Sequence, residues 1–183
     1  VKLELISLCD YREDVEYLKA FFTTNHGAFS AILLPQQCPT TTWNFVNLAE
    51  GRQQNPHRDG PFYDGLTFHR LIKGFALMGG CPHGTGMGNA GYRFGDDFHP
   101  ELSHWEIGYL SMGNSGPNSN SCQFFITLGA AEHLDNSHNI FGKVTEGLET
   151  LEKIAQLATD YNDRPIEPII IESIVIKRPA ELE

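Results

Sequence analysis

What this 183-residue chain lacks narrows its possible roles before any motif is considered. Basic side chains number 13 against 23 acidic ones, giving a formal charge of -10 and a pI near 5.2. That balance excludes a broad nucleic-acid-binding face, because such binding grows with the phosphates that Lys and Arg neutralise. No apolar run is long enough to span a bilayer, and the N-terminal stretch carries acids throughout, unlike a signal peptide. Cysteine is sparse: Cys9, Cys38, Cys81 and Cys122 show no CxxC spacing, which argues against a zinc site or a disulfide framework and for free thiols in a reducing compartment. The histidines form no HExxH pattern and no close pair, so no metal is expected. Gly84-Thr85-Gly86-Met87-Gly88 lacks the GxGxxG spacing of a dinucleotide loop, and Gly113-Asn114-Ser115-Gly116 is not a GxSxG nucleophile elbow. Neither a cofactor nor a serine nucleophile is called for.

What is present reads as one mainly β domain. Phe21 to Asn25, a His26-Gly27 turn and Ala28 to Leu34 predict a hairpin. Pro39 suits a first helical turn, and Phe45, Leu48 and Ala49 supply an apolar stripe that Gly51 ends. Arg52 to Asp64 reads as an exposed loop, and strands follow at Leu66 to Ile72 and Phe75 to Met78. Cys81 to Pro100 is glycine-rich and aperiodic, a long loop of the functional kind. Short strands return at Gly108 to Met112, Phe124 to Thr127 and Ile140 to Val144. Thr145 is positioned to cap a second helix carrying Leu148, Leu151, Ile154 and Ala155, with Glu146 at its positive end. Ile169 to Ile176, β-branched and bounded by prolines, reads as a strand covered on both faces. Before all this, Val1 to Leu8 gives a weak strand signal, and Tyr11 to Lys19 places Val15 and Leu18 at helical spacing.

The most informative stretch is Phe68-His69-Arg70-Leu71-Ile72-Lys73-Gly74-Phe75, answered downstream by Gln123-Phe124-Phe125. A guanidinium is always charged and resists burial without partners, so an arginine among apolar strand residues and phenylalanines points to a working site. Further blocks stand in the same order: Gly79-Gly80, Gly84-Thr85-Gly86, Leu110-Ser111-Met112-Gly113-Asn114, Gly116-Pro117-Asn118, Leu134-Asp135, His138 and Phe141-Gly142-Lys143-Val144. Together these blocks resemble the cyclophilins, the peptidyl-prolyl cis-trans isomerases, from about Phe21 to about Lys177.

The resemblance implies a closed eight-stranded antiparallel β-barrel with a helix capping each end, formed by residues 21–178. Residues 1–20 would be an extension that packs on the barrel or helps a partner dock, and residues 179–183 a tail. It implies that Arg70 is the catalytic residue and that Phe75, Phe125 and Leu134 form a proline pocket. Met112, Gly113 and Asn114 would receive the peptide backbone, Gln123 would touch substrate, and His138 would sit at the pocket rim. His69 reads as structural. Two departures stand out. Met78 occupies the usual glutamine position of the substrate site, replacing an amide that can orient the arginine with a weak sulfur acceptor. His133 replaces the tryptophan of cyclosporin-sensitive members, which implies weak cyclosporin binding. Ala76, where methionine is common, widens one wall, and Gly113 for alanine is a small change.

An isomerase acting on X-Pro bonds of unfolded or flexible chains is the leading expectation, in the cytoplasm and as a monomer. A binding module of the same fold that grips proline-containing segments and barely catalyses is the rival. A periplasmic or lipid-anchored folding factor is a third reading, dependent on whatever preceded Val1.

Overall fold

The computed structural model describes residues 6–183. Its strands are β1 (Leu18–Thr24), β2 (Gly27–Leu33), β3 (Arg70–Ile72), β4 (Ala76–Gly79), β5 (Tyr109–Met112), β6 (Phe124–Thr127), β7 (Ile140–Glu146) and β8 (Ile171–Lys177). Two α-helices join them, α1 (Pro39–Ala49) and α2 (Leu148–Ile154). The eight strands form one sheet in the order β3-β4-β6-β5-β7-β2-β1-β8, antiparallel at every pairing. Alternation explains the core: Leu18, Ala20 and Phe22 of β1 and Phe29, Ala31 and Leu33 of β2 all turn inward. Phe22 lies opposite Phe29, and their rings stack at 4.7 Å. Phe45 of α1 carries the helix into this core, with Tyr63, Phe124 and Phe141 ring centroids at 5.1, 5.4 and 5.0 Å. Among the described residues no helix is long and apolar enough to cross a membrane.

The expected closed barrel is corrected to an open, curled sheet. β3 and β8 are its two edges, and no ladder joins them. The seam holds one bridge, Thr67 with Ile170, and the bonds Gly65 N–H to Ile171 O (2.7 Å), Ile171 N–H to Leu66 O (2.8 Å) and Phe68 N–H to Ile169 O (2.9 Å). The reason is stagger: β3 runs away from this short overlap in one direction and β8 in the other. The outer edge of β3 is met instead by a turn, where Leu71 N–H donates to Asp163 O at 2.8 Å.

Local expectations were corrected as well. β8 is covered on one face only, with Ile171, Ile174 and Ile176 buried and Val175 exposed, because the convex side of a curled sheet faces solvent. Thr145 and Glu146 belong to β7, and the residue ahead of α2 is Gly147 at φ +82°. Glu146 instead pairs with Lys19 Nζ at 2.8 Å and accepts from Ser30 Oγ at 3.1 Å. The Arg52–Asp64 loop is partly buried, since Gln53, Phe62 and Tyr63 enter the interior.

The helix expected over Tyr11 to Lys19 is absent, and β1 begins at Leu18, inside the stretch assigned to the extension. Gln53 and Asn47 side-chain amides draw the segment out: Gln53 Nε2 donates to Ser7 O (2.9 Å) and Asn47 Nδ2 to Tyr11 O (3.0 Å). The Tyr11 ring lies under the Arg52 guanidinium at 4.1 Å and edge-on to Trp43. Of the strand expected over Val1 to Leu8, residues 1–5 lie outside the described residues, and Ile6 to Leu8 are not strand. At the C-terminus, Pro179–Glu181 form one 3-10 turn.

Candidate active site

Strand register assembles the site. Arg70 lies opposite Met78, Met78 opposite Phe125, and Phe125 opposite Ser111, one row across β3, β4, β6 and β5. The neighbouring row is Leu71, Leu77, Ile126 and Leu110, all buried in the core. Successive residues face opposite sides of a sheet, so burying the second row turns the first outward. Arg70, Met78 and Phe125 of the outward row floor a groove of about 850 Å³. Phe75 and Leu134 line it beside the row, and Gly113, Asn114, Gln123 and His138 complete the expected set.

Two expected residues sit elsewhere. Met112 is fully buried with Leu110 on the core face and reaches the site only through its carbonyl, which accepts from His138 Nδ1 at 2.7 Å. His133 is exposed on the 3-10 turn Glu132–Leu134 and stacks on the back of the pocket, against Phe75 at 5.6 Å. Ala76 is fully buried and does not line the groove.

Each polar group is held in a definite direction. Arg70 is about half exposed and makes one long ion pair, Nη2 to Asp163 Oδ2 at 3.5 Å, leaving most of its donors to the groove. Gln123 Nε2 donates to Gly86 O (2.9 Å) and Gly88 O (2.8 Å), which pins the 80s loop and leaves Oε1 as an acceptor. Because a carbonyl can only accept, the bond to Met112 O puts a proton of His138 on Nδ1. The Asn114 side chain ties two loops together, its Nδ2 donating to Ser137 O at 2.7 Å on the segment before β7 and its Oδ1 accepting from Gly116 N–H at 3.2 Å in its own turn.

Beneath the floor lies a group that sequence reading missed. His104 is fully buried and stacks on Phe125 at 5.9 Å; its Nδ1 meets Asp135 Oδ1 at 2.7 Å and its Nε2 meets Ser111 Oγ at 2.8 Å. The connectivity is that of a Ser-His-Asp triad, yet Ser111 is wholly buried under Phe125 and cannot reach a substrate. The group is a support. Burial pushes the His104 imidazole down, against the opposing pull of Asp135. His69 is pushed down further, to about 4, by burial and then by the Arg164 and Arg70 charges, so it is neutral at pH 7. The groove also takes in Arg93, Met87 and Asn162 from loops whose sequence carries no periodicity to flag them.

Chemically, the groove offers a guanidinium over an apolar floor, with main-chain groups along one side. It suits a small apolar ring attached to an amide.

The comparisons agree with this geometry. The family model for "Cyclophilin type peptidyl-prolyl cis-trans isomerase/CLD" matches residues 20–176. A probable peptidyl-prolyl cis-trans isomerase A from Mycobacterium leprae is 43% identical over 178 residues, spanning 92% of this chain and 98% of that protein. Peptidyl-prolyl cis-trans isomerase B from Streptomyces anulatus is 42% identical, over 88% of this chain and 98% of its own. Among solved structures, a cyclophilin-type isomerase from Cryptosporidium parvum superposes with a TM-score of 0.81 at 36% identity, covering 88% of this chain and 98% of that one. A second structure of that protein, in the presence of the dipeptide Ala-Pro, superposes with a TM-score of 0.80 at 36% identity, covering 87% of this chain and 98% of that one. With nearly the whole chain matched, this protein belongs to the cyclophilin-type peptidyl-prolyl cis-trans isomerase family.

Proposed function

We propose that the protein turns X-Pro peptide bonds in flexible chains by gripping the proline ring between Phe75, Phe125 and Leu134 while Arg70 favours the twisted amide. Amide resonance opposes the rotation with a barrier of about 18–20 kcal/mol. At mid-rotation that resonance is lost, the proline nitrogen recovers a lone pair, and a donor beside it then binds more tightly than in either planar state. No covalent bond forms or breaks, so no nucleophile or general base is required. The observation that carries this reading is the row Arg70, Met78, Phe125, which register alone sets side by side on the groove floor. The Ala-Pro dipeptide named with the Cryptosporidium parvum neighbour supports proline-containing peptides as the ligand class.

Exchange NMR on a short X-Pro peptide tests it. Arg70→Ala is expected to lower kcat/KM about a hundredfold or more, the usual effect of removing a donor aimed at a transition state. Unchanged turnover would remove Arg70 from the mechanism. The binding-only reading is less favoured, because a largely unpaired guanidinium faces the groove. The four free cysteines fit action in a reducing compartment such as the cytoplasm, in assistance of folding. Cyclosporin is expected to bind weakly, since His133 lacks the indole donor and is held against Phe75.

A further inference from the structure

We propose that Asp163 is a positioning residue for Arg70, holding the guanidinium's direction where Met78 offers no hydrogen-bonding group. This rests on the isomerase reading above. Directly opposite Arg70 stands a thioether, a poor acceptor. His69, next in sequence, is buried and neutral, and Arg93 and Arg164 are cations that accept nothing. Among the described residues, Asp163 supplies the one carboxylate within ion-pairing distance of Arg70.

The carboxylate's placement is built into the fold. Asp163 has φ +62°, a left-handed conformation that a residue with a Cβ adopts at a cost and that clusters at functional positions. Its backbone is fixed on both sides: its N–H donates to Asp160 O at 3.1 Å, and its carbonyl accepts Leu71 N–H at 2.8 Å. Leu71 is the neighbour of Arg70, so one turn holds both the main chain and the side chain of this stretch of β3. Asp160 tightens the turn by accepting from Asn162 N–H (2.8 Å) and Arg164 N–H (3.1 Å). Arg164 Nη2 ties it to Gly84 O at 2.8 Å, on the loop that walls the groove.

The pair is long, with side chains 48% and 42% exposed, so it is weak. Weakness suits the role. A tight buried pair would keep the guanidinium from its substrate, whereas this one biases its orientation and lets go.

Asp163→Asn is the test, since asparagine is near-isosteric and tolerates the left-handed conformation. Expected are a fall in kcat of about three- to fivefold, KM within about twofold, and lower order of the Arg70 Nε–H by NMR relaxation. Salt at about 0.5 M should bring wild-type kcat towards that of the variant. In a Met78→Gln background the effect of Asp163→Asn should nearly vanish, because the glutamine takes over the orienting bond. A variant as fast as wild type, or the same loss in both backgrounds, overturns the proposal. If Arg70→Ala still abolishes turnover in that case, the isomerase reading stands and only the role of Asp163 falls.

Discussion

Met78 faces Arg70 across the ladder and Phe125 on its other side, so it occupies the centre of the site with a side chain that donates nothing. A hydrogen bond to a charged group is worth about 1.5–3 kcal/mol, which converts to roughly tenfold or more in rate. Met78→Gln is therefore expected to raise kcat/KM about tenfold in the same peptide assay, and no gain would show that the arginine is already fully oriented. His69 predicts a pH dependence. The unfolded chain binds a proton there near pH 6.5, the folded one only near about 4, so the stability it contributes is whole above pH 6.5 and is lost as pH falls through that window. The loss amounts to about 3 kcal/mol at the acid end. His104 acts with the same sign. Thermal melts from pH 7 to 4 should show Tm falling, with a shallower slope for His69→Gln. Arg70 was legible from sequence because a charge among apolar strand residues marks it, and Phe75 and Phe125 through the ordered motifs that carry the resemblance. His104, Ser111 and Asp135 were not, since a buried polar chain is defined only by its partners.

Elements obeyed the sequence where alternation was regular and departed from it at their ends. β1, β2, α1 and β6 lie within a few residues of their expected bounds, because apolar spacing sets which face is buried. The start of α2 was misplaced because Thr145 and Glu146 satisfy hydrogen bonds in β7 and with Lys19, a choice that no local signal reveals. Gly147 makes that strand-to-helix turn: a Cβ there would stand 2.7 Å from both Ala28 O and Phe29 Cα. Gly147→Ala is expected to cost at least 1–2 kcal/mol and to lower Tm by several degrees, read by calorimetry. The N-terminal segment makes a parallel case. Helical spacing at Val15 and Leu18 lost to the side-chain amides of Gln53 and Asn47. Gln53→Ala should cost about 1 kcal/mol by removing the part-buried bonds to Ser7 O and Cys9 N–H, and limited proteolysis should then cut ahead of Leu18.

At the scale of the whole molecule, the open seam is the feature with most consequence. The β1–β2 ladder is long and continuous and the β1–β8 ladder is long with one bulge at Thr23–Thr24, whereas the contact between the β3 and β8 edges is one bridge with a few flanking bonds. Hydrogen exchange should therefore find the Gly65, Phe68 and Ile171 amides opening sooner than those of Ala20 and Phe22. Equal protection across the sheet would indicate a fully cooperative barrel.

The sequence by itself determined that the chain is mainly β and that its arginine and phenylalanines stand in one ordered set of motifs. Period-two burial and the order of its motifs are local properties that survive without coordinates. Tertiary structure alone decided that the sheet stays open, that Met112 turns to the core while Ser111 turns the other way, beneath Phe125 and onto His104, and that Asp163 reaches Arg70. Those outcomes depend on register and stagger between strands far apart in the chain, and a shift of one residue would have reversed each face.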